Sequence, residues 1–245
     1  RIWAMTEHYL FDIDGTLTNP RQKMSRQFTK RFLEWMDDKS VFLVAGSNLE
    51  KVSEQVPPEV IAKCEGVFCS MGNQFWSGKN LVYENEWAPD PLLIEALTAF
   101  QMYTKFPIPL KEQFGRGEII ERRPGMLNFT TIGRNADTRE RERYYEWDTK
   151  NGERKNIVSQ LEKSFPELDF RIGGQISIDI QPKGHNKSQA SEWIRKNLGG
   201  RMIFTGDSCH KGGNDYDICL DIKKHKDGEF HQVDSPEETL NVLGI

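Results

Sequence analysis

The sequence predicts an α/β protein with a Rossmann-like doubly wound core and an inserted α+β domain. Three observations support this fold class. Short apolar runs alternate with helical patterns up to about residue 80, as in a parallel sheet covered by helices. The middle of the chain changes to several strands and helices, and the alternation returns from Asn186 onward. A length of 245 residues fits one core plus a smaller inserted unit.

The first part of the core shows a strand, helix, strand order. The apolar and aromatic run from His8 to Phe11 predicts a buried strand. Ser25 is placed to cap the next helix, in which apolar residues recur at helical spacing. The run Val41 to Val44 predicts a second strand, and a helix is expected at about Leu49 to Val56. A third strand is expected at Gly66 to Cys69.

The middle segment carries strands and helices of a different organisation. Prolines bracket one amphipathic helix; they are Pro89, Pro91, Pro107 and Pro109. Strands are expected at 118–123, 126–132 and 176–180. Asp137 can cap a helix together with Glu140, three residues on, and a further helix is expected at 153–165.

The core returns after this segment. A helix passes through Trp193 and Ile194, and the strand Met202 to Thr205 ends at Gly206-Asp207. We therefore expect a core built from residues 1–82 and 187–245, with an α+β cap domain inserted at residues 83–186.

Composition excludes several classes of protein. Charged residues make up 29 % of the chain, and the longest uncharged run, Gly66 to Gly78, is shorter than the ~18 residues that a spanning helix needs. The net charge of −4 is unfavourable for a protein that coats nucleic acid. No C-x-x-C spacing occurs among the cysteines, so we expect free thiols and a reducing cytoplasm; they are Cys64, Cys69, Cys209 and Cys219.

Two aspartates end the first strand. Asp12 and Asp14 lie where an α/β sheet forms its ligand crevice, and Gly15 lets the chain turn away. An isolated pair of this kind also occurs as a turn or capping element. A calcium-binding EF-hand loop is excluded, because Gly15 is at position four instead of six and Lys23 occupies the place of the bidentate Glu.

A third aspartate extends the pair. Asp207 ends a later strand and is followed by Gly212-Gly213-Asn214-Asp215. Strand-end carboxylates with oxygen ligands suit Mg²⁺ together with a phosphate. Ser47 could donate to phosphate oxygens, and Lys187 could neutralise a phosphoryl group. No P-loop sequence competes for this role.

These motifs resemble those of a known family. Their order and spacing are similar to the four motifs of the haloacid dehalogenase superfamily of phosphotransferases: Phe11-Asp12-Ile13-Asp14-Gly15-Thr16-Leu17-Thr18, Gly46-Ser47, Lys187, and Gly206-Asp207 with Gly212-Gly213-Asn214-Asp215. Further segments resemble the eukaryotic-type phosphomannomutases: Asn19-Pro20-Arg21-Gln22-Lys23, Gly125-Met126-Leu127-Asn128, Ile132-Gly133-Arg134 and Ile172 to Ser177 with Asp179. The resemblance covers nearly the whole chain and implies the haloacid dehalogenase fold.

The resemblance implies roles for the core residues. Asp12 is expected to become an aspartyl phosphate, and Asp14 to act as general acid and base. Ser47 and Lys187 complete the catalytic set. The expected cofactor is Mg²⁺, held by Asp12, Asp207 and the backbone carbonyl of Asp14; the motif adds Asn214 and Asp215 to the metal site.

The resemblance also implies substrate contacts. The phosphate that is not being transferred would be bound by arginines, which suit bidentate phosphate contacts: Arg21, Arg123, Arg134 and Arg141. Ser177 and Asp179 would bind sugar hydroxyls. Arg139 and Arg143, interleaved with glutamates, are expected on a helix surface.

Three functions follow as hypotheses. The first is a mutase that interconverts mannose 6-phosphate and mannose 1-phosphate through a hexose bisphosphate, in GDP-mannose biosynthesis. The second is a Mg-dependent sugar-phosphate phosphatase, in which water accepts the phosphoryl group. The third is a non-catalytic scaffold. The charged residues crowded at one crevice argue against it, because such crowding destabilises a fold unless the residues serve binding. No nucleic-acid or membrane partner is expected, and the resemblance implies a homodimer formed through the cap.

Overall fold

A computed structural model describes residues 6–108 and 117–245 and divides the chain into two compact units. The core consists of Arg1–Asn85 and Gly184–Ile245, and the cap consists of Glu86–Lys183. Pro109, one of the prolines expected to flank a helix, lies outside the described residues.

The described part of the chain contains both strands and helices. In chain order the strands are β1 (Glu7–Phe11), β2 (Ser40–Val44), β3 (Gly66–Cys69), β4 (Gln74–Ser77), β5 (Asn80–Glu84), β6 (Ile120–Arg123), β7 (Met126–Phe129), β8 (Leu168–Gly173), β9 (Ser177–Pro182), β10 (Arg201–Gly206) and β11 (Gly228–Gln232). The α-helices are α1 (Arg26–Trp35), α2 (Leu49–Gln55), α3 (Pro58–Lys63), α4 (Pro91–Met102), α5 (Thr138–Asn151), α6 (Glu153–Ser164), α7 (Ser188–Asn197), α8 (Tyr216–His225) and α9 (Pro236–Leu243).

A seven-stranded sheet forms the centre of the core. Its strand order is β11-β10-β1-β2-β3-β4-β5. The strands from β11 to β3 pair in parallel, and β4 and β5 are added as an antiparallel hairpin at one edge. β2 lies on one side of β1 and β10 lies on the other side. The strand order therefore reverses between β1 and β10. Ligands bind at such a switch point in open α/β sheets.

Both faces of this sheet are covered by helices. Alternate side chains point to opposite faces, so neighbouring apolar residues on β1 enter different clusters. Phe11 packs in a cluster with residues of α1, α2, α3 and α9, whereas Leu10 packs in a cluster with residues of α7 and α8. The inner strands β1, β2 and β3 are buried on both sides, as in a doubly wound fold.

The cap contains a four-stranded antiparallel sheet. Its order is β6-β7-β9-β8. One face is apolar, where Leu127, Phe129, Ile178 and Ile180 cluster with residues of α4 and α6. The strand register aligns four polar residues in one row across the strands; they are Glu121, Asn128, Asp179 and Arg171. Since side chains alternate along a strand, this row lies on the opposite, polar face.

The predicted fold class is confirmed, as are several local signals. Ser25 caps α1 by accepting from the Phe28 N–H at 3.2 Å, and Asp137 and Glu140 form a complete capping box at the start of α5. The sequence reading missed α3, the β4–β5 hairpin, β8, α8, β11 and α9. No helix among residues 6–108 and 117–245 is long and apolar enough to cross a membrane.

Candidate active site

A buried lysine joins two aspartates at the switch point of the core sheet. Asp12 directly follows β1, and its backbone N–H donates to the Thr205 carbonyl of β10 at 3.0 Å. Lys187, immediately before α7, is fully buried. Its Nζ lies 2.5 Å from Asp12 Oδ1 and 2.7 Å from Asp215 Oδ1. The ammonium therefore fixes the positions of two carboxylates that come from distant parts of the sequence.

Three carboxylates converge at this point. One oxygen each of Asp12, Asp207 and Asp215 lies within 4.8 Å of the others. The second oxygen of Asp215 accepts from the Ser208 N–H at 3.0 Å. Lys187 supplies one positive charge to this group of three acids, so negative charge is in excess and the site is suited to a cation.

Burial and charge shift the pKa values in this cluster. Burial raises the pKa of Asp12 to about 7; the charge of Lys187 opposes this shift and that of Asp215 adds to it. Burial alone lowers the pKa of Lys187, but the charges of Asp12 and Asp215 outweigh it and the net shift is upward. Burial also raises the pKa of Asp207. Lys187 is thus held as a cation beside Asp12, whose carboxyl group is harder to ionise than a carboxyl group in water.

Gly15 makes the close approach of Asp207 possible. Its backbone has φ +76°, and a Cβ at this position would lie 2.4 Å from Asp207 Oδ2. Its N–H donates to the Thr18 carbonyl at 2.7 Å, which closes the turn after β1. The glycine is therefore required both by the turn and by the carboxylate beside it.

Asp14 lies outside the carboxylate cluster and is exposed. Its Oδ1 accepts from the Arg21 backbone N–H at 2.8 Å and from Gln55 Nε2 at 2.7 Å. These two contacts hold the side chain in place. Asp12 and Asp14 thus occupy different environments although they are two residues apart, as expected for two carboxylates with different roles.

The loops after β2 and β10 meet beside this cluster. The position of a Cβ on Gly46 would lie 3.8 Å from Asn214 Nδ2, and the Ser47 carbonyl accepts from the Ser70 N–H at 2.8 Å. Ser70 and Met71, in the loop that makes this contact, both have positive φ, 51° and 62°, a backbone conformation that is unfavourable for residues with a Cβ. The structure therefore brings the loops that carry Ser47 and Asn214 to the carboxyl ends of the core strands, where Asp12 also lies.

The polar face of the cap holds a second cluster. Arg123 binds both oxygens of Glu121, at 3.0 and 2.9 Å, and Arg134 bonds to the same carboxylate. Arg141 donates to the backbone carbonyls of Ala136 and Arg134, at 2.8 and 2.9 Å. Arg123 and Arg134 therefore converge on one anionic group, while Arg141 supports the backbone of Arg134.

Ser177 and Asp179 adjoin these arginines. Asn128 donates to Asp179 Oδ1 at 2.6 Å and accepts from Arg134, and the Arg134 guanidinium lies 3.4 Å from Ser177 Oγ. Burial raises the pKa of Asp179, while Asn128 and the arginines oppose the shift. Arg21, in contrast, belongs to the core and lies beside Asp14.

Comparison with known proteins assigns the chain to a family. The family model for eukaryotic phosphomannomutase matches residues 28–244. The chain belongs to this family. It is 34 % identical to a phosphomannomutase of Saccharomyces cerevisiae over 96 % of this chain and 91 % of that protein. It is 36 % identical to a phosphomannomutase of Solanum lycopersicum over 96 % of this chain and 92 % of that protein.

Solved structures share the fold of this phosphomannomutase-family chain. A haloacid dehalogenase-like hydrolase from Bacteroides thetaiotaomicron is 13 % identical, with a TM-score of 0.64 over 98 % of each chain. A sugar phosphatase of haloacid dehalogenase subclass IIB is 16 % identical, with a TM-score of 0.57 over 98 % of this chain and 99 % of that one. The family predicted from the motifs is confirmed, and these structures confirm the predicted haloacid dehalogenase fold.

The sequence did not predict every residue of the candidate site in this phosphomannomutase-family chain. Glu121 could have been noticed, because it is two residues from Arg123 on a strand and therefore shares its face. Asn128 lies within a motif but received no role. No local signal identifies Gln55 as a partner of Asp14, since they are separated by 41 positions. Arg139 and Arg143 are both exposed on α5, as expected, and the Arg143 guanidinium also lies over the Phe106 ring, 5.9 Å from its centroid.

Proposed function

We propose that this chain interconverts mannose 6-phosphate and mannose 1-phosphate through a phosphorylated Asp12 and a hexose bisphosphate. One observation carries the proposal: the buried Asp12 carboxylate, held by Lys187 at the tip of β1, stands within 4.8 Å of two further carboxylates. Family membership supports the mutase assignment.

We propose Mg²⁺ as the cofactor of this site. The donors are oxygens alone, and Lys187 leaves negative charge uncompensated, so the residues fit a hard cation. Asp12, Asp207 and the backbone carbonyl of Asp14 would hold it, with Asn214 and Asp215 on the adjoining loop. When bound, the cation would reduce the repulsion between a carboxylate and a phosphate. Asp215 would also position Lys187, from which it accepts a hydrogen bond.

The two aspartates divide the chemistry between them. Asp12 Oδ1 is engaged by Lys187, so Oδ2 is the oxygen proposed to attack phosphorus. As the new O–P bond forms, the bond from phosphorus to the sugar oxygen breaks, and Asp14 gives that oxygen its proton. In the second half-reaction Asp14 removes a proton from the accepting sugar hydroxyl, the phosphoryl group moves to that hydroxyl, and Asp12 is released.

The cap would recognise the rest of the substrate. Arg123 and Arg134 already converge on the Glu121 carboxylate, and the same guanidinium groups suit a phosphate. Arg141 would act by supporting Arg134, while Arg21 would contribute from the core. Ser177 and Asp179, next to Arg134, would bind sugar hydroxyls. A phosphatase transfers the phosphoryl group to water and needs no binding site for a second phosphate.

The remaining expectations stay part of this proposal. We propose that a hexose bisphosphate activates the enzyme, that the chain forms a homodimer through the cap, and that it acts in the cytoplasm in GDP-mannose biosynthesis. The four cysteines, which are buried free thiols, support a reducing location.

Substitution of Arg134 separates the mutase from the phosphatase. Loss of one charge-assisted phosphate contact costs ~1.5–3 kcal/mol, or roughly ten- to a hundredfold in binding. We expect Arg134→Ala to impair conversion of mannose 1-phosphate by this factor and to spare any hydrolysis of p-nitrophenyl phosphate, which carries no second phosphate. The exposed Arg139→Ala is the matched control and should leave both activities unchanged. An equal loss of both activities in Arg134→Ala would favour the phosphatase.

A further inference from the structure

A buried arginine in the cap has no part in the proposed chemistry. Arg154 lies in the first turn of α6 and is 4 % exposed. Its Nε donates to Asp148 Oδ2 at 2.7 Å, and its backbone N–H donates to Asp148 Oδ1 at 2.8 Å. Gly152, at φ +68°, lets the chain turn between Asp148 on α5 and Arg154 on α6. This ion pair therefore fixes the corner between the two helices.

The other end of the same side chain holds a turn between two strands. Arg154 Nη1 faces three backbone carbonyls at the β8–β9 connection, those of Gly173 at 3.3 Å, Gly174 at 3.1 Å and Ser177 at 3.3 Å. A guanidinium is planar and carries five N–H donors in a fixed arrangement. Arg154 can therefore bind Asp148 and this turn at once, whereas a lysine ammonium cannot span both.

This turn leads directly into the strand that carries the two residues proposed to bind sugar hydroxyls. Ser177 is the first residue of β9, and Asp179 follows two positions later on the same face. A Cβ on Gly173 would lie 2.9 Å from Asp179 Oδ2, so the turn backbone packs directly against that carboxylate. A shift of the turn by a fraction of an ångström would move both sugar-binding groups.

We infer that Arg154, braced by Asp148, is a positioning residue that holds Ser177 and Asp179 in the orientation needed to bind the sugar. The inference rests on the proposed function, in which these two side chains contact sugar hydroxyls. Its basis is that binding groups need supporting contacts to keep them in productive geometry.

Arg154→Lys in the full chain tests this role, because it keeps the charge beside Asp148 and removes the bridge to the turn. We expect KM for mannose 1-phosphate to rise about tenfold or more. Any hydrolysis of p-nitrophenyl phosphate, which has no sugar hydroxyls, should stay within about twofold. Arg195→Lys is the matched control, since Arg195 makes an analogous ion pair in the core with Asp221 and Asp227, at 2.6 and 2.5 Å. It should leave KM unchanged.

A double-mutant cycle with Ser177→Ala separates positioning from general stability. If Arg154 acts through Ser177, the effects of the two changes on KM will be less than multiplicative. An unchanged KM in Arg154→Lys, or fully multiplicative effects, would overturn the inference even if urea unfolding shows a loss of stability. If Arg154→Lys does not fold, Asp148→Asn is measured in the same way, with the same expected rise in KM.

Failure of the proposed function gives a different result. If Ser177→Ala and Asp179→Asn both leave KM unchanged, or if the unchanged chain does not convert mannose 1-phosphate, the proposed sugar site is wrong and the inference is overturned with it. If those variants raise KM and Arg154→Lys does not, the sugar site stands and only the role of Arg154 is lost.

Discussion

Lys187 balances the charge of two carboxylates that have little access to solvent. With Asp12 and Asp215 as partners, its Nζ has contacts at 2.5 and 2.7 Å, and all three side chains are buried. Lys187→Met keeps most of the side-chain volume but leaves both acids without their cation. Removing one partner from a buried pair costs ~3–5 kcal/mol, so we expect the free energy of unfolding in urea to fall by about that amount.

A surface ion pair provides the comparison for Lys187→Met. Lys39 bonds to Asp38, an exposed aspartate, at 2.7 Å. Exposed pairs contribute only ~0–1 kcal/mol, so Lys39→Met should change unfolding little. A similarly small change in Lys187→Met would show that the buried ammonium is not needed to balance the site.

Asp12 is predicted to be the nucleophile, and Asp12→Asn tests this role. An amide is a poor nucleophile but matches the carboxylate in size, and its oxygen can still accept from Lys187. We expect conversion of mannose 1-phosphate to fall by at least about a thousandfold with the thermal unfolding transition retained. Asp38→Asn, on the surface, is the control. Substantial activity in Asp12→Asn would show that another residue accepts the phosphoryl group.

The turn after β1 is predicted to control metal binding through Gly15. In Gly15→Ala the new Cβ would meet Asp207 Oδ2 at 2.4 Å, so the carboxylate must move. We expect the Mg²⁺ concentration for half-maximal activity to rise about tenfold or more, as for loss of a contact that orients a ligand. Activity at saturating Mg²⁺ should recover in part, and none should remain in a chelator.

Gly78→Ala separates backbone strain from this steric effect. Gly78 also has a positive φ, +58°, but nothing lies within 4 Å of its Cβ position. It should lose ~1 kcal/mol of stability and keep the normal Mg²⁺ dependence. Equal Mg²⁺ dependence in both variants would remove Asp207 from the metal site.

The elements that sequence analysis found are those whose own residues show a pattern. β1, β2 and β3 are short apolar runs because they are buried on both faces. β5 and β11 have mostly exposed side chains and lie at the two edges of the core sheet, so they carry no such run. β11 pairs with β10, a strand distant in sequence, and such tertiary pairing is not visible in a local sequence window. β5 pairs with β4 across the two-residue turn Gly78-Lys79, a local signal that the sequence analysis did not use.

Across the whole molecule, the motifs predict which residues form the candidate site but not the contacts that folding creates among them. The motifs identified Asp12, Lys187 and Asp215, but the contacts among them join positions 175 and 28 residues apart. The carboxylate of Glu121 between Arg123 and Arg134 likewise depends on strand register and side-chain packing. The spacing of the motifs predicted which residues form the candidate site, whereas the contacts among these residues could be described only from the folded structure.

Mutase action by the whole chain is best tested by following both possible products of one substrate. The unchanged protein is incubated with Mg²⁺ and mannose 1-phosphate, with and without a hexose bisphosphate. Mannose 6-phosphate is measured by a coupled assay, and inorganic phosphate is measured in parallel. We predict that mannose 6-phosphate forms, that the bisphosphate accelerates its formation, and that released phosphate is a minor product. Release of phosphate equal to the substrate consumed, with no mannose 6-phosphate, would contradict the account.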